Sequence, residues 1–331
     1  MGRCRFHLNR QCASNRLPAV VGHADWSVDP GKRWVARAVH EGGGRYRALM
    51  PGPAGPLPGL LDGLRQGADR PGPVLFGFDF PLGLPCSYAR RAGIDDFRRL
   101  LPTLGRGAWR SFFSVAERPE QVGLARPFYP AKAGTRGTVA RRHLIDGLGL
   151  GSYDDLLRRC DKAGGGRPAA CAMFWTLGPQ QVGKAAIVGW RNLLIPALRG
   201  GHDLALWPFD GDLGELLASR DMVVAETYPA EIYGHLGLGF GTGAGGKRVQ
   251  SARAAQAPRL LQQARRLGLG LDRRLRDAIA DGFGPAPDGE DPFDATVGLL
   301  GMVNVVVGGR PAGAPGDAEV RRIEGWSLGQ K

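Results

Sequence analysis

Pro18-Ala-Val-Val-Gly-His-Ala-Asp25 is a short, almost continuous apolar run that ends in an acid. Such a run fits a strand buried on both faces, at the centre of a sheet covered by helices. Just downstream, Arg33–His40 and Arg45–Met50 alternate well enough to be two more strands, joined by the turn Glu41-Gly-Gly-Gly44. Leu57, Leu60, Leu61 and Leu64 then fall at helical spacing, and Pro73–Asp79 reads as a second buried strand stopped by Pro81-Leu-Gly83. From Cys86 to Gly201 no strand pattern is found, only helix-like pieces at Asp95–Leu101 and Asp154–Cys160 and a longer helix at Gln181–Leu198. A short strand at Ala205–Trp207 and a clear one at Met222–Glu226 follow. Helices are expected near Ser251–Leu267 and Asp272–Asp281, with an apolar helix at Pro292–Val306 closing the pattern. The order predicts an α/β protein: a mixed sheet flanked by helices, carrying a large helical insertion. The expected divisions are a disordered basic arm at 1–16, core at 17–85, a mostly helical insertion or cap at 86–201, core again at 202–310, and a C-terminal tail at 311–331.

Composition narrows the class. Apolar residues at 43% can bury a core, and no apolar run reaches the roughly 18 residues of a membrane span. Glycine and proline are abundant but lack a three-residue period, which excludes collagen and favours long loops. The formal charge of +13 suits a polyanion partner, and nucleic acid is the commonest. Only six of the 44 basic residues are lysine, so GC-rich coding accounts for part of that charge. Cys4, Cys12, Cys86, Cys160 and Cys171 form no CxxC pair, which supports neither a zinc site nor a disulfide framework. The opening MGRCRFHLNRQCASNR is basic without the apolar stretch of a signal peptide, and reads as an arm or as translation from an early start codon. A reducing cytoplasm is the expected compartment.

Three buried strands end in acids: Asp25, Asp79 and Glu226. Ligands of open α/β sheets sit beyond the carboxyl ends of the strands, where these side chains would converge. Turn formation and helix capping explain an isolated Asp equally well, but Glu favours neither role. The last helix opens on Glu290-Asp-Pro-Phe-Asp294, with Asp291 at an expected N-cap, Pro292 at the first helical position, and Asp294 on the same side of the first turn. Converging carboxylates need cations, and oxygen ligands without His or Cys select Mg²⁺ or Mn²⁺. Two such ions can activate water and stabilise a leaving oxygen in phosphodiester hydrolysis. For phosphate contacts the candidates are Lys184 and Arg191, seven residues apart on one helix, and Lys247 and Arg248 after a glycine-rich loop. Tyr228 could stack on a base, and His23 would share the sheet face of Asp25.

The blocks Ala24-Asp-Trp26, Gly77-Phe-Asp-Phe-Pro-Leu-Gly83, Glu226-Thr-Tyr-Pro-Ala230 and Asp291-Pro-Phe-Asp-Ala295 together resemble the domain-of-unknown-function 429 family. The blocks are short but span about residues 20–307. That family is regarded as predicted nucleases of RNase H-like fold, so the resemblance implies that fold and a divalent-metal-dependent nuclease. It implies that Asp25 bridges two ions, that Asp79 is a ligand from the second strand, and that Glu226 and Asp294 complete the set. Asp291 with Asp294 is similar to the helix-borne pair of Holliday-junction resolvases of the same superfamily. The middle insertion has no counterpart in a minimal RNase H core.

Other signals fail on context. Gly241-Thr-Gly-Ala-Gly-Gly-Lys247 has phosphate-loop spacing, but Arg248 stands where Ser or Thr is required and a helix is expected before it. No GxSxG or HExxH occurs. Two rivals to the nuclease remain. An ATP-dependent phosphotransferase would want a Gly-rich turn after the first strand, which Asp25-Trp-Ser-Val does not supply. A non-catalytic nucleic-acid-binding module would show scattered carboxyls.

Overall fold

The computed structural model describes residues 16–66, 68–132, 137–164, 167–178, 182–240, 246–285 and 289–331. Most of the expected arm, residues 1–15, lies outside these.

The first strands are β1 (Val20–Asp25), β2 (Trp34–Gly42), β3 (Arg45–Ala48) and the two-residue β4 (Gly52–Pro53). After helix α1 (Leu57–Gly63) comes β5 (Val74–Phe78). The insertion then contributes α2 (Gly137–Leu148) and α3 (Val182–Gly189) among shorter turns of helix. The chain returns to the sheet with β6 (Leu204–Trp207), α4 (Leu213–Ser219), β7 (Met222–Glu226) and α5 (Pro229–Leu236). It ends with α6 (Ala257–Arg266), β8 (Leu269–Leu271), α7 (Arg273–Asp281), α8 (Glu290–Val306) and α9 (Ala318–Ile323).

The sheet is mixed and eight-stranded, in the order β6-β7-β5-β1-β2-β3-β8 with β4 paired to β2. β1, β2 and β3 form an antiparallel meander, while β5, β7 and β6 run parallel to β1 on its other side. β1 is therefore central, as its unbroken apolar run requires. Ala24, Phe78 and Glu226 lie level across β1, β5 and β7, so they share one face. The alternate residues, His23, Gly77 and Ala225, point to the other.

Each face has its own core. Phe76, Phe78 and Val224 pack into a cluster with the insertion, including Trp190, Phe112 and Phe174. Val21, Leu75 and Ala225 pack into a second cluster with α5, α6 and α8. α8 is buried almost along its whole length, and glycines let it approach the sheet. A Cβ on Gly298 would collide with the His23 ring, and one on Gly77 would strike Met302.

Several expected boundaries move for identifiable reasons. The helix Gln181–Leu198 has Gln181 outside the described residues and is interrupted by a π turn at Trp190–Leu194. Pro196 follows at once, and its missing N–H and crowding ring disfavour a regular helix there. The stretch Ser251–Leu267 is two helices, the second entered through Pro258 near its start. Residues 311–331 are packed into the fold. Asp317 caps α9, the buried Glu324 accepts from the N–H groups of Cys86 (3.0 Å) and Arg159 (2.6 Å), and Leu328 N–H donates to the Glu226 carbonyl (2.8 Å). Among the described residues no helix is long and apolar enough to cross a membrane.

A candidate carboxylate site at the strand ends

β1 and β5 run parallel and side by side, so Asp25 and Asp79 leave them at adjacent positions on one edge. The Trp26 N–H donates to Asp79 Oδ1 at 2.7 Å and ties the two strand ends together. From beneath, α8 delivers Asp294, which is 3% exposed. All three border one cleft of about 840 Å³, whose walls include Trp26, Tyr228 and Tyr233 and, from the insertion, Cys171 and Ala185.

Asp294 is held from two sides. The Tyr233 hydroxyl donates to Oδ1 and the Lys247 ammonium to Oδ2. Lys247 also reaches Glu290 Oε1 at 3.0 Å and lies over the Tyr233 ring. Its backbone is anchored by the fully buried Arg253, which donates to the carbonyls of Lys247, Gly282 and Gly284 at 2.8–2.9 Å.

Charge is crowded here. Burial pushes the Asp25 carboxyl well above its ordinary range, and Asp79, Asp294 and Asp291 push it further. Asp79 is pushed up to about 7, by burial first and then by Asp294, against the Trp26 N–H. Burial also raises Asp294, opposed by Lys247 and Tyr233. Burial works against the Lys247 charge, yet Asp294 and Glu290 hold its pKa above the ordinary value.

Glu226 is not in this cluster. Its side chain shares a face with Phe78, and the position level with Asp79 is Thr227, whose hydroxyl meets His23 Nε2 at 2.9 Å. The expected convergence of three strand-end acids misses by one residue, which in a strand means the opposite face. On that face Glu226 takes both ends of the buried Arg158 guanidinium at 2.6 Å and the Leu82 N–H at 2.6 Å. Arg158 also binds both oxygens of Asp161, and these carboxylates keep it charged despite burial. Among the described residues, Cys160, Asp161 and Glu226 are the one set of three potential ligand atoms mutually within 4.8 Å. The guanidinium already occupies both carboxylates, and burial keeps the Cys160 thiol protonated, so this group is an ion-pair cluster.

The other candidates separate as well. Asp291 is not an N-cap, because Gly289 already has near-helical dihedrals and α8 starts at Glu290; the Asp291 charge still reaches Asp25. Lys247 is in the site, as a partner of carboxylates and not as a free phosphate contact. Arg248 stands 3.9 Å from Glu290, largely exposed. Lys184 and Arg191 do not border the cleft, although Val182 and Ala185 of the same helix do. His23 is fully buried under α8, and burial lowers its pKa to about 3, so it is a neutral core residue. Tyr228 borders the cleft beneath the Arg167 guanidinium, 5.1 Å from its ring centre. Residues 241–245 of the glycine-rich loop lie outside the described residues; the helix before it is α5, not a strand.

Glu290 and Tyr233 are site residues the sequence reading omits. Glu290 precedes Asp294 by one helical turn and could have been found from that spacing. Tyr233 carries no such signal. Comparison with protein-family models, with curated proteins and with solved structures finds no match, so the reading of the site rests on its geometry.

Proposed function

We propose that the chain is a divalent-metal-dependent nuclease of RNase H-like fold, acting on phosphodiesters of DNA or RNA. The observation that carries this reading is the meeting of Asp25, Asp79 and Asp294, from three separate elements, on one cleft. The central β1, the antiparallel meander on one side and the parallel strands on the other support the fold assignment, as do the sequence blocks resembling the domain-of-unknown-function 429 family.

The donor set fits Mg²⁺ or Mn²⁺: every candidate ligand is a carboxylate oxygen, and their mutual repulsion favours a bound cation. Asp25, Asp79 and Asp294 line the cleft where such ions would bind, their oxygens spaced more widely than a single three-carboxylate ligand set, with Asp291 adding to the field. When bound, such an ion supplies an activated water and charge neutralisation at phosphate. The chain's own parts do the rest. Trp26 N–H fixes Asp79, Tyr233 orients Asp294, and residues of the insertion wall the cleft together with Tyr228.

Calorimetry with Mn²⁺ tests the reading. Wild type should bind with defined stoichiometry, and Asp25→Asn with Asp294→Asn should abolish binding and Mn²⁺-dependent cleavage of DNA and RNA oligonucleotides. Folded wild type that takes up no Mn²⁺ would overturn it. In that case Lys247 already serves as the cation of the cluster, and the remaining reading is a non-catalytic module that binds polyanions through its basic surface.

A further inference from the structure

Beside the carboxylate cleft lies a second groove of about 710 Å³, and the two share Ala230 and Tyr233 of α5 as a common ridge. Their linings differ: the cleft mixes Asp25, Asp29, Asp79 and Asp294 with Lys32 and Lys247, while the second groove is mostly basic. The second presents Arg159, Lys162, Arg167 and Arg310, with Glu231 the acid among its described lining residues, and Trp326 on its wall. Arg159 and Lys162 are about half exposed, with side-chain exposures of 57% and 45%. Each is paired only with a partly or largely exposed acid: Arg159 with Asp317 at 2.9 Å, Lys162 with Asp154 at 2.8 Å. Exposed pairs of this kind are weak and screened, and exchange readily for a phosphate.

We propose that this groove is the track along which a single-stranded nucleic acid runs before its backbone crosses the α5 ridge into the carboxylate cleft. The inference rests on the phosphodiester reading of that cleft and names its substrate as a strand, not a duplex. A ligand touching both grooves would be a chain with repeating anionic groups, since one groove is lined mostly by cations and the other holds the three aspartates with Lys32 and Lys247 beside them. It must also bend at the ridge. A duplex is stiff over about 150 base pairs, whereas a single strand turns freely. Arg167 joins the two spaces: it lines the basic groove, pairs with Glu231 at 3.3 Å, and lies over the ring of Tyr228, which lines the cleft. Basic residues with aromatic walls are the means by which proteins hold single strands without reading sequence.

Fluorescence anisotropy in EDTA tests the track without cleavage. The probes are a short labelled DNA single strand, the RNA of the same sequence, and the corresponding DNA duplex, each titrated at several salt concentrations. Arg159→Gln with Lys162→Gln should weaken single-strand binding roughly tenfold at low salt and flatten the logarithmic salt dependence by about 0.7 per lost phosphate contact. Arg265→Gln with Arg266→Gln, exposed on α6 and equal in charge, should change it less than twofold. Arg159→Lys with Lys162→Arg should retain binding, which separates charge from any effect on folding. Equal losses in the groove and α6 variants, no loss in the groove variant, or duplex binding as tight as single-strand binding would each overturn the proposal. Mn²⁺ calorimetry reports on the carboxylates separately, so failure of one reading does not register as failure of the other.

Discussion

Asp25 and Asp79 leave their strands within one residue of the level at which Glu226 leaves the next, yet one pair opens on a cleft and the third acid is sealed against Arg158. The contrast lies in what surrounds each carboxylate. Glu226 and Asp161 have a guanidinium between them and backbone donors around them, so their charge is satisfied. Asp25 and Asp79 face other acids, with Lys247 bonded to Asp294 and Glu290 instead. The ion pair leaves its carboxylates nothing further to satisfy, whereas the crowded acids are where the proposed cation would sit.

Removing the settled partner should have the largest effect. Arg158→Met leaves two buried carboxylates without a counter-charge and should cost about 3–5 kcal/mol, read from urea unfolding. Mn²⁺ stoichiometry of the folded fraction should stay unchanged, because Arg158 lies on the opposite face of the sheet. Loss of Mn²⁺ uptake by folded Arg158→Met would show that the two regions are not independent. Next in size, Gly298→Ala forces a methyl into the His23 ring and should cost about 1–3 kcal/mol by overpacking. Since α8 carries Asp294, the same change should also weaken Mn²⁺ binding, which Arg158→Met does not.

The smallest effect is one of pH. The folded pKa of Asp79, about 7, lies above its ordinary 3.8. Between those values the native state holds a proton that the unfolded chain has released. The Asp79 contribution to stability without added metal should therefore be greatest below the ordinary value and fall as pH rises towards about 7, by at most about 1.4 kcal/mol per pH unit, while His23, with its pKa lowered to about 3, acts in the opposite direction between about 3 and 6.5. Asp79→Asn, which keeps an oxygen for the Trp26 N–H, should remove that contribution, so its stability relative to wild type should rise with pH across the window; paired urea midpoints measure the difference. Asp25 shifts in the same direction, so its own contribution should survive in the variant. A difference that does not change with pH would mean that Asp79 carries no such strain.

What the sequence shows of this molecule follows from range. Strand β1 and the acids at the ends of β1 and β5 are legible because a buried strand needs a continuous apolar run and a sheet places its ligands at one edge. Asp294 is legible from its place in the first turn of a buried helix. Glu226 misleads, because strand ends are visible in sequence to within a residue and a sheet face changes with every residue. Arg158 is invisible: it sits 68 positions from Glu226, inside an insertion whose strandless sequence gives no register. The break at Pro196 could be read, whereas the three-residue β8 could not be told from a loop.

The insertion leaves the sheet after β5 and returns before β6, and on the way it supplies Cys171 and Ala185 to the wall of the cleft. None of the three carboxylates comes from it. The acids and this part of the wall thus come from separate stretches of the chain, and exchanging wall residues of the insertion would reshape the cleft while leaving the acids where they are.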